Sequence, residues 1–128
     1  MIRETILTRQ AAAPIGPYVQ GIKASGNFIF TSGQIPLDAS GQMVAGGIVE
    51  QTHAVFANLK AILEQGGSSL AHVVKTTVFI LDMNEFGAMN EIYKSYFNGA
   101  NPPARSTIQV ARLPKDARIE IEAIALVP

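Results

Sequence analysis

The run Val73-Val74-Lys75-Thr76-Thr77-Val78-Phe79-Ile80-Leu81 constrains this chain most. Its β-branched residues are stiff at χ1 and favour extended backbone, and Asp82 and Asn84 bound it, so it reads as a strand. The period then changes. Phe86, Met89, Ile92, Tyr93, Tyr96 and Phe97 recur at three- and four-residue spacing, which predicts a helix over 85–97, capped by Asn84 or Asp82 and closed by Asn98-Gly99. Asn101-Pro102-Pro103 cannot continue that helix. It delivers the chain into Arg105-Ser106-Thr107-Ile108-Gln109-Val110, whose polar and apolar alternation predicts another strand.

The flanks fill in around this unit. Strand patterns cover 3–7, 18–24 and 27–32, the last two separated by Ser25-Gly26 at hairpin spacing. Residues 33–47 are rich in Gly, Pro, Asp and Ser and read as a loop. Val55, Phe56, Leu59, Ile62 and Leu63 mark a helix over 49–65 that stops at Gly66-Gly67. Leu113-Pro114-Lys115-Asp116 turns the chain into a last strand over 118–127. The order βββαβαββ predicts an α+β domain with a six-stranded mixed sheet and both helices on one face. The strands before and after the first helix run parallel through a right-handed crossover. A chain of 128 residues without a linker or repeat is one domain, residues 1–128.

Charge removes several function classes. Ten Lys+Arg balance ten Asp+Glu, and neither sign is concentrated, so neither nucleic acid nor an anionic membrane is an expected partner. With no cysteine there is no disulfide, thiolate metal site or cysteine nucleophile. The start Met1-Ile2-Arg3-Glu4-Thr5 has no apolar region behind it, and no apolar run approaches about 18 residues, so a soluble, cytoplasmic protein is expected. Charged residues are only 16% of the chain, against about 25% in ordinary domains, which suggests that part of the surface is buried between subunits.

Side-chain alternation selects candidate groups. In the last strand Ile119, Ile121 and Ala123 should face the helices, with Arg118, Glu120 and Glu122 opposite. In the strand before it, Ile108 and Val110 should face the helices, with Arg105, Thr107 and Gln109 opposite. If the two pair as a hairpin, Arg105, Thr107, Gln109, Glu120 and Glu122 share the uncovered face. Such a face is either simply hydrated, or packed against other subunits so that its charges sit in clefts. Glu50 and His53 have a metal-chelating spacing, but one copy without a second acidic helix argues against a metal. His72 has no sequence-local partner and reads as solvated or capping. The glycine-rich segments lack a P-loop lysine and a dinucleotide fingerprint, so no cofactor is indicated.

Five blocks carry a resemblance. Ile15-Gly16-Pro17-Tyr18, Thr31-Ser32-Gly33-Gln34-Ile35-Pro36, Asn101-Pro102-Pro103-Ala104-Arg105-Ser106, Val110-Ala111-Arg112-Leu113-Pro114-Lys115-Asp116 and Ile119-Glu120-Ile121-Glu122-Ala123 resemble, in order and spacing, the signature blocks of the RidA/YjgF/L-PSP (Rid) family. The resemblance implies a chorismate-mutase-like fold and a homotrimer with three ligand sites at subunit interfaces. It also implies metal- and cofactor-independent hydrolysis of 2-imino acids, such as 2-iminopropanoate and 2-iminobutanoate, to 2-oxo acids and ammonia.

By the same resemblance Arg105 holds the substrate carboxylate, a role its planar, permanently charged fork suits. Glu120 positions the attacking water and exchanges protons with it, Tyr18 reaches the same water, Ser32 and Gly33 line the pocket, and Asn90 lies near the site. Thr107 stands where most RidA-like members have cysteine, so it serves the carboxylate through its backbone N–H or shifts activity and substrate range. Rival functions are a non-catalytic carboxylate-binding regulator, a ribonuclease or translation inhibitor, and a chaperone-like holdase.

Overall fold

The computed structural model describes residues 1–128. Its strands are β1 (Ile2–Ile6), β2 (Gly21–Ser25), β3 (Asn27–Phe30), β4 (Val73–Ile80), β5 (Ala104–Gln109) and β6 (Ile119–Val127), and its helices are α1 (Ile48–Gln65) and α2 (Phe86–Tyr96). The order βββαβαββ is the one the sequence predicts. One face of each helix meets one face of the sheet: Val55, Phe56, Leu59 and Leu63 of α1 and Met89 and Tyr93 of α2 are fully buried against Val78, Ile80, Ile119 and Ile121. Burying such side chains, at roughly 1.5–3 kcal/mol each, is what holds the two layers together.

Local chemistry sets the ends of the helices. The Glu50 carboxylate accepts from the Gly47 N–H at 2.9 Å, satisfying a donor at the start of α1. Gly67, at φ +86°, turns the chain out of it. Asp82 accepts from the Asn84 N–H at 2.9 Å and opens a 3₁₀ turn, Met83–Glu85, which runs into α2. No helix is long and apolar enough to cross a membrane.

The sheet differs from the sequence expectation in three ways. First, it is divided: β3-β6-β4-β5 form a four-stranded sheet, β1-β2 form a separate antiparallel pair, and the isolated bridge Val19–Ala104 joins the pair to the β5 edge. Second, Ser25-Gly26 does not close a hairpin. Gly26 at φ +133° redirects the chain, so β2 pairs with β1 while β3 pairs with β6, where Ile29 packs against the core. Third, β5 does not pair with β6. It pairs parallel to β4, with Arg105 opposite Thr76, and β4 pairs antiparallel to β6 on its other side. Both β3 and β4 are antiparallel to β6, so they run in the same direction, as predicted, but with β6 between them.

That third difference inverts the face of β5. Thr76 is buried and its hydroxyl meets the Tyr93 hydroxyl of α2, so Arg105 and Thr107 lie on the helix side. Ile108 aligns with Phe79 and Glu120 on the uncovered face, where it is 46% exposed. The alternation was right and its sense was wrong. The uncovered face carries exposed apolar side chains among its polar ones, Phe30 at 72% exposure, so hydrophobicity alone does not mark the side that meets the helices.

Candidate functional site

Arg105 lies near the start of β5, at the sheet edge beside α2, and is half-buried. Phe86, Asn90 and Tyr93 sit at i, i+4 and i+7 of α2 and so form one stripe facing it. Nη1 of Arg105 donates to Asn90 Oδ1 at 2.7 Å. Its guanidinium carbon lies 4.5 Å from the centre of the Tyr93 ring, 5.4 Å from Tyr18 and 5.5 Å from Phe86, within the range of cation–π attraction. The three ion pairs of the chain do not include it. Burial lowers its pKa from the ordinary arginine value, opposed by the neighbouring Tyr93 and Tyr18 hydroxyls. The guanidinium stays charged, and every group that holds it is neutral.

A cavity of about 280 Å³ opens over this group, lined by Arg105, Asn90, Phe86, Tyr18, Thr107 and the Ile15-Gly16 segment. The Tyr18 hydroxyl accepts from the Ile15 N–H at 3.3 Å, fixing the loop that forms the outer wall. Thr107 Oγ1 is buried without a partner. A larger cavity of about 490 Å³ shares Gly16 and Tyr18 with this one and has Lys94 as its only charged side chain, whereas the smaller one contains the guanidinium already ordered by Asn90 and the aromatic rings.

Glu120, Ser32 and Gly33 gather elsewhere. Residues 31–34 continue β3 alongside β6: the Thr31 N–H donates to the Ala123 carbonyl at 2.9 Å, and Gln34 exchanges backbone hydrogen bonds with Ile121 at 2.9 and 3.1 Å. Asn58 of α1 holds the next turn by donating to the Leu37 carbonyl at 2.9 Å. Gly33 is thereby pressed against Glu120, and a Cβ at that position would overlap the Glu120 carboxylate. Glu120 forms no ion pair.

The structure therefore unites Arg105, Asn90, Tyr18 and Thr107 in one cluster and Glu120, Ser32 and Gly33 in another. It does not bring the clusters together within one chain. Arg105 aligns with Ala123 and Glu120 with Ile108, so they stand two strand spacings apart, roughly 10 Å across the sheet, and three residues, roughly another 10 Å, along it, on opposite faces. The expectation that they share a face is corrected by the parallel pairing of β4 and β5. Sequence periodicity places Phe86 and Tyr93 on the second helix without marking them as neighbours of Arg105; their i, i+4, i+7 spacing with Asn90 is the available signal.

The histidines have other partners. His53 Nδ1 meets the Tyr96 hydroxyl at 2.7 Å, and His72 Nδ1 meets the Ser69 hydroxyl at 2.9 Å. No group of three or more His, Asp and Glu side chains is arranged to hold a metal.

Comparison with known proteins agrees with this architecture. The Endoribonuclease L-PSP family profile matches residues 8–127. A RutC family protein of Pyrococcus abyssi is 56% identical over 98% of both chains. The mouse 2-iminobutanoate/2-iminopropanoate deaminase is 50% identical, covering 98% of this chain and 93% of its own. The crystal structure of the YjgF gene product of E. coli superposes with a TM-score of 0.75 at 48% identity, over 98% of this chain and 99% of that one. The α+β layout, the ordered blocks and these matches place the chain in the Rid/YjgF (L-PSP) family.

Proposed function

We propose that this protein is a 2-imino acid deaminase whose sites form between copies of the chain. The observation that carries this reading is a charged guanidinium held in a small cavity by neutral partners alone, with its charge left for an anionic ligand. A carboxylate fits that fork bidentately. The named activity of the mouse relative supplies the substrate class: 2-imino acids such as 2-iminobutanoate and 2-iminopropanoate.

Arg105 anchors the carboxylate, with Asn90 steadying its fork and Thr107 and Tyr18 shaping the cavity. Glu120 accepts a proton from water as the water oxygen bonds to the imine carbon. Glu120 returns that proton to the nitrogen to complete the tetrahedral carbinolamine, then relays the carbinolamine hydroxyl proton to the same nitrogen as the C–N bond breaks and the C=O forms, so the 2-oxo acid and ammonia leave. Protons balance, and no external oxidant or reductant is required. Gly33 leaves room for Glu120 to approach the substrate.

Arg105 and Glu120 lie on opposite faces, so a second copy must supply the Glu120 cluster. A homotrimer closes three such sites, and the exposed Phe30 and Ile108 provide an apolar surface for it. The same separation favours a second reading, in which an isolated chain only binds small carboxylates.

The test generates 2-iminobutanoate in situ and offers it semicarbazide as a competing trap. Addition of the protein is expected to divert imine to 2-oxobutanoate, and Arg105→Ala to lose roughly 100-fold in that diversion, as befits a charge-assisted pair. No diversion by the wild-type protein, with 2-oxobutanoate still bound, would replace the deaminase reading with the binder.

A further inference from the structure

We infer that Tyr93 is a positioning residue for carboxylate capture, acting through Arg105; this rests on the proposal that Arg105 is the carboxylate anchor. Its ring is the closest of the three, 4.5 Å below the guanidinium carbon, and it is fully buried. It is also immobilised. The hydroxyl meets Thr76 Oγ1 at 2.7 Å, Phe56 packs edge-on at 5.7 Å between ring centres, and Phe97 packs at 4.8 Å.

The physical argument concerns what else could hold an arginine there. A flexible guanidinium loses several rotatable degrees of freedom when it binds a ligand in one geometry, and that loss weakens binding unless the side chain is ordered beforehand. Ordering by Asp or Glu would fix the fork but neutralise it. Ordering by an aromatic face attracts the cation through the ring quadrupole and leaves its edge N–H donors and its charge available. Asn90 holds Nη1 by a neutral amide oxygen in the same spirit. Tyr93 does what an acid could not: it fixes the cation without occupying it.

Tyr93 and Phe86 share the α2 stripe, yet Phe86 is 5.5 Å away and only partly buried, so Tyr93 carries the larger share. Asn90 and Tyr93 together tie the affinity of the site to the placement of α2 over the β5 edge.

The experiment separates ring electronics from ring shape. Tyr93→Phe is compared with phenylalanine analogues of increasing ring fluorination incorporated at position 93, which keep nearly the same volume while weakening the quadrupole. The readouts are the Kd for 2-oxobutanoate, kcat and KM with 2-iminobutanoate, and the thermal midpoint. Tyr93→Phe, which retains the ring, should stay within about twofold of wild type in Kd. Successive fluorination should raise Kd and KM in steps, to roughly five- to tenfold, with kcat and thermal midpoint near those of Tyr93→Phe. A flat series, while Arg105→Ala abolishes 2-oxobutanoate binding, overturns the role of Tyr93 and leaves the anchor standing. If Arg105→Ala binds as wild type does, the anchor reading fails, and the inference about Tyr93 fails with it.

Discussion

At the scale of single residues, close approach and burial do most of the work. Gly33 is held against Glu120 so tightly that any Cβ must displace the carboxylate. Gly33→Ala should therefore lower kcat at least about tenfold through misplacement of Glu120, while the unfolding midpoint shifts little because the displaced atoms end a movable side chain. Steady-state kinetics beside a thermal melt would check it. Burial raises the Tyr93 pKa from 10.0 to about 12, against opposing contributions from the Thr76 hydroxyl and the Arg105 charge. The sign follows from linkage: the folded state keeps the phenol protonated where the unfolded chain ionises. The stabilisation is thus complete below pH 10 and is lost as pH rises toward about 12. Denaturant titrations of wild type across that interval should show a decline that is smaller in Tyr93→Phe, where only Tyr96, also raised by burial, contributes in the same direction.

At the scale of elements, the periodicities of α1, α2 and β6 were legible because each has one face in water or on the bare side and one in the core. Their ends moved by about one residue, as frayed termini do. The β5 face was not legible: Ile108 is apolar, but the surface it joins also carries exposed apolar side chains, and only its alignment with Phe79 settles its side. The connection from β5 to β6 must cross the end of β4, and it does so through a 3₁₀ turn, Pro114–Asp116, in which Lys115 and Asp116 take φ of 55° and 56°. L-residues pay sterically for that left-handed conformation, and β-branched ones pay most. Lys115→Gly should stabilise the protein by about 0.5 kcal/mol, and Lys115→Val should destabilise it by about 1 kcal/mol or more. Equilibrium unfolding of the two variants measures both. The opposite ordering would show that the turn relaxes to accept a branched side chain.

At the scale of the whole molecule, one sheet carries two clusters that face away from each other. If neighbouring copies complete the site, Arg105→Ala and Glu120→Ala are each inactive, yet co-refolding them in equal amounts restores activity. Random mixing leaves about one interface in four with both an intact Arg105 and an intact Glu120, so recovery should approach a quarter of wild type. Recovery near zero, in material shown by sedimentation to have mixed, would mean that both groups act within one chain or that they do not share a site. The exposed Phe30 and Ile108 on the bare face are where the proposed contact between copies would bury apolar surface. By itself the sequence determined the α+β order, both helices and their buried stripes, and the identity of the candidate polar residues, because these depend on local periodicity and residue chemistry. Only the tertiary structure decided that β3 pairs with β6, that β4 lies between β5 and β6, and that Arg105 rests on the aromatic stripe of α2 while Glu120 looks the other way. The reason is physical: alternation says that two sets of side chains part company, but which set meets the helices is fixed by strand partners many residues away.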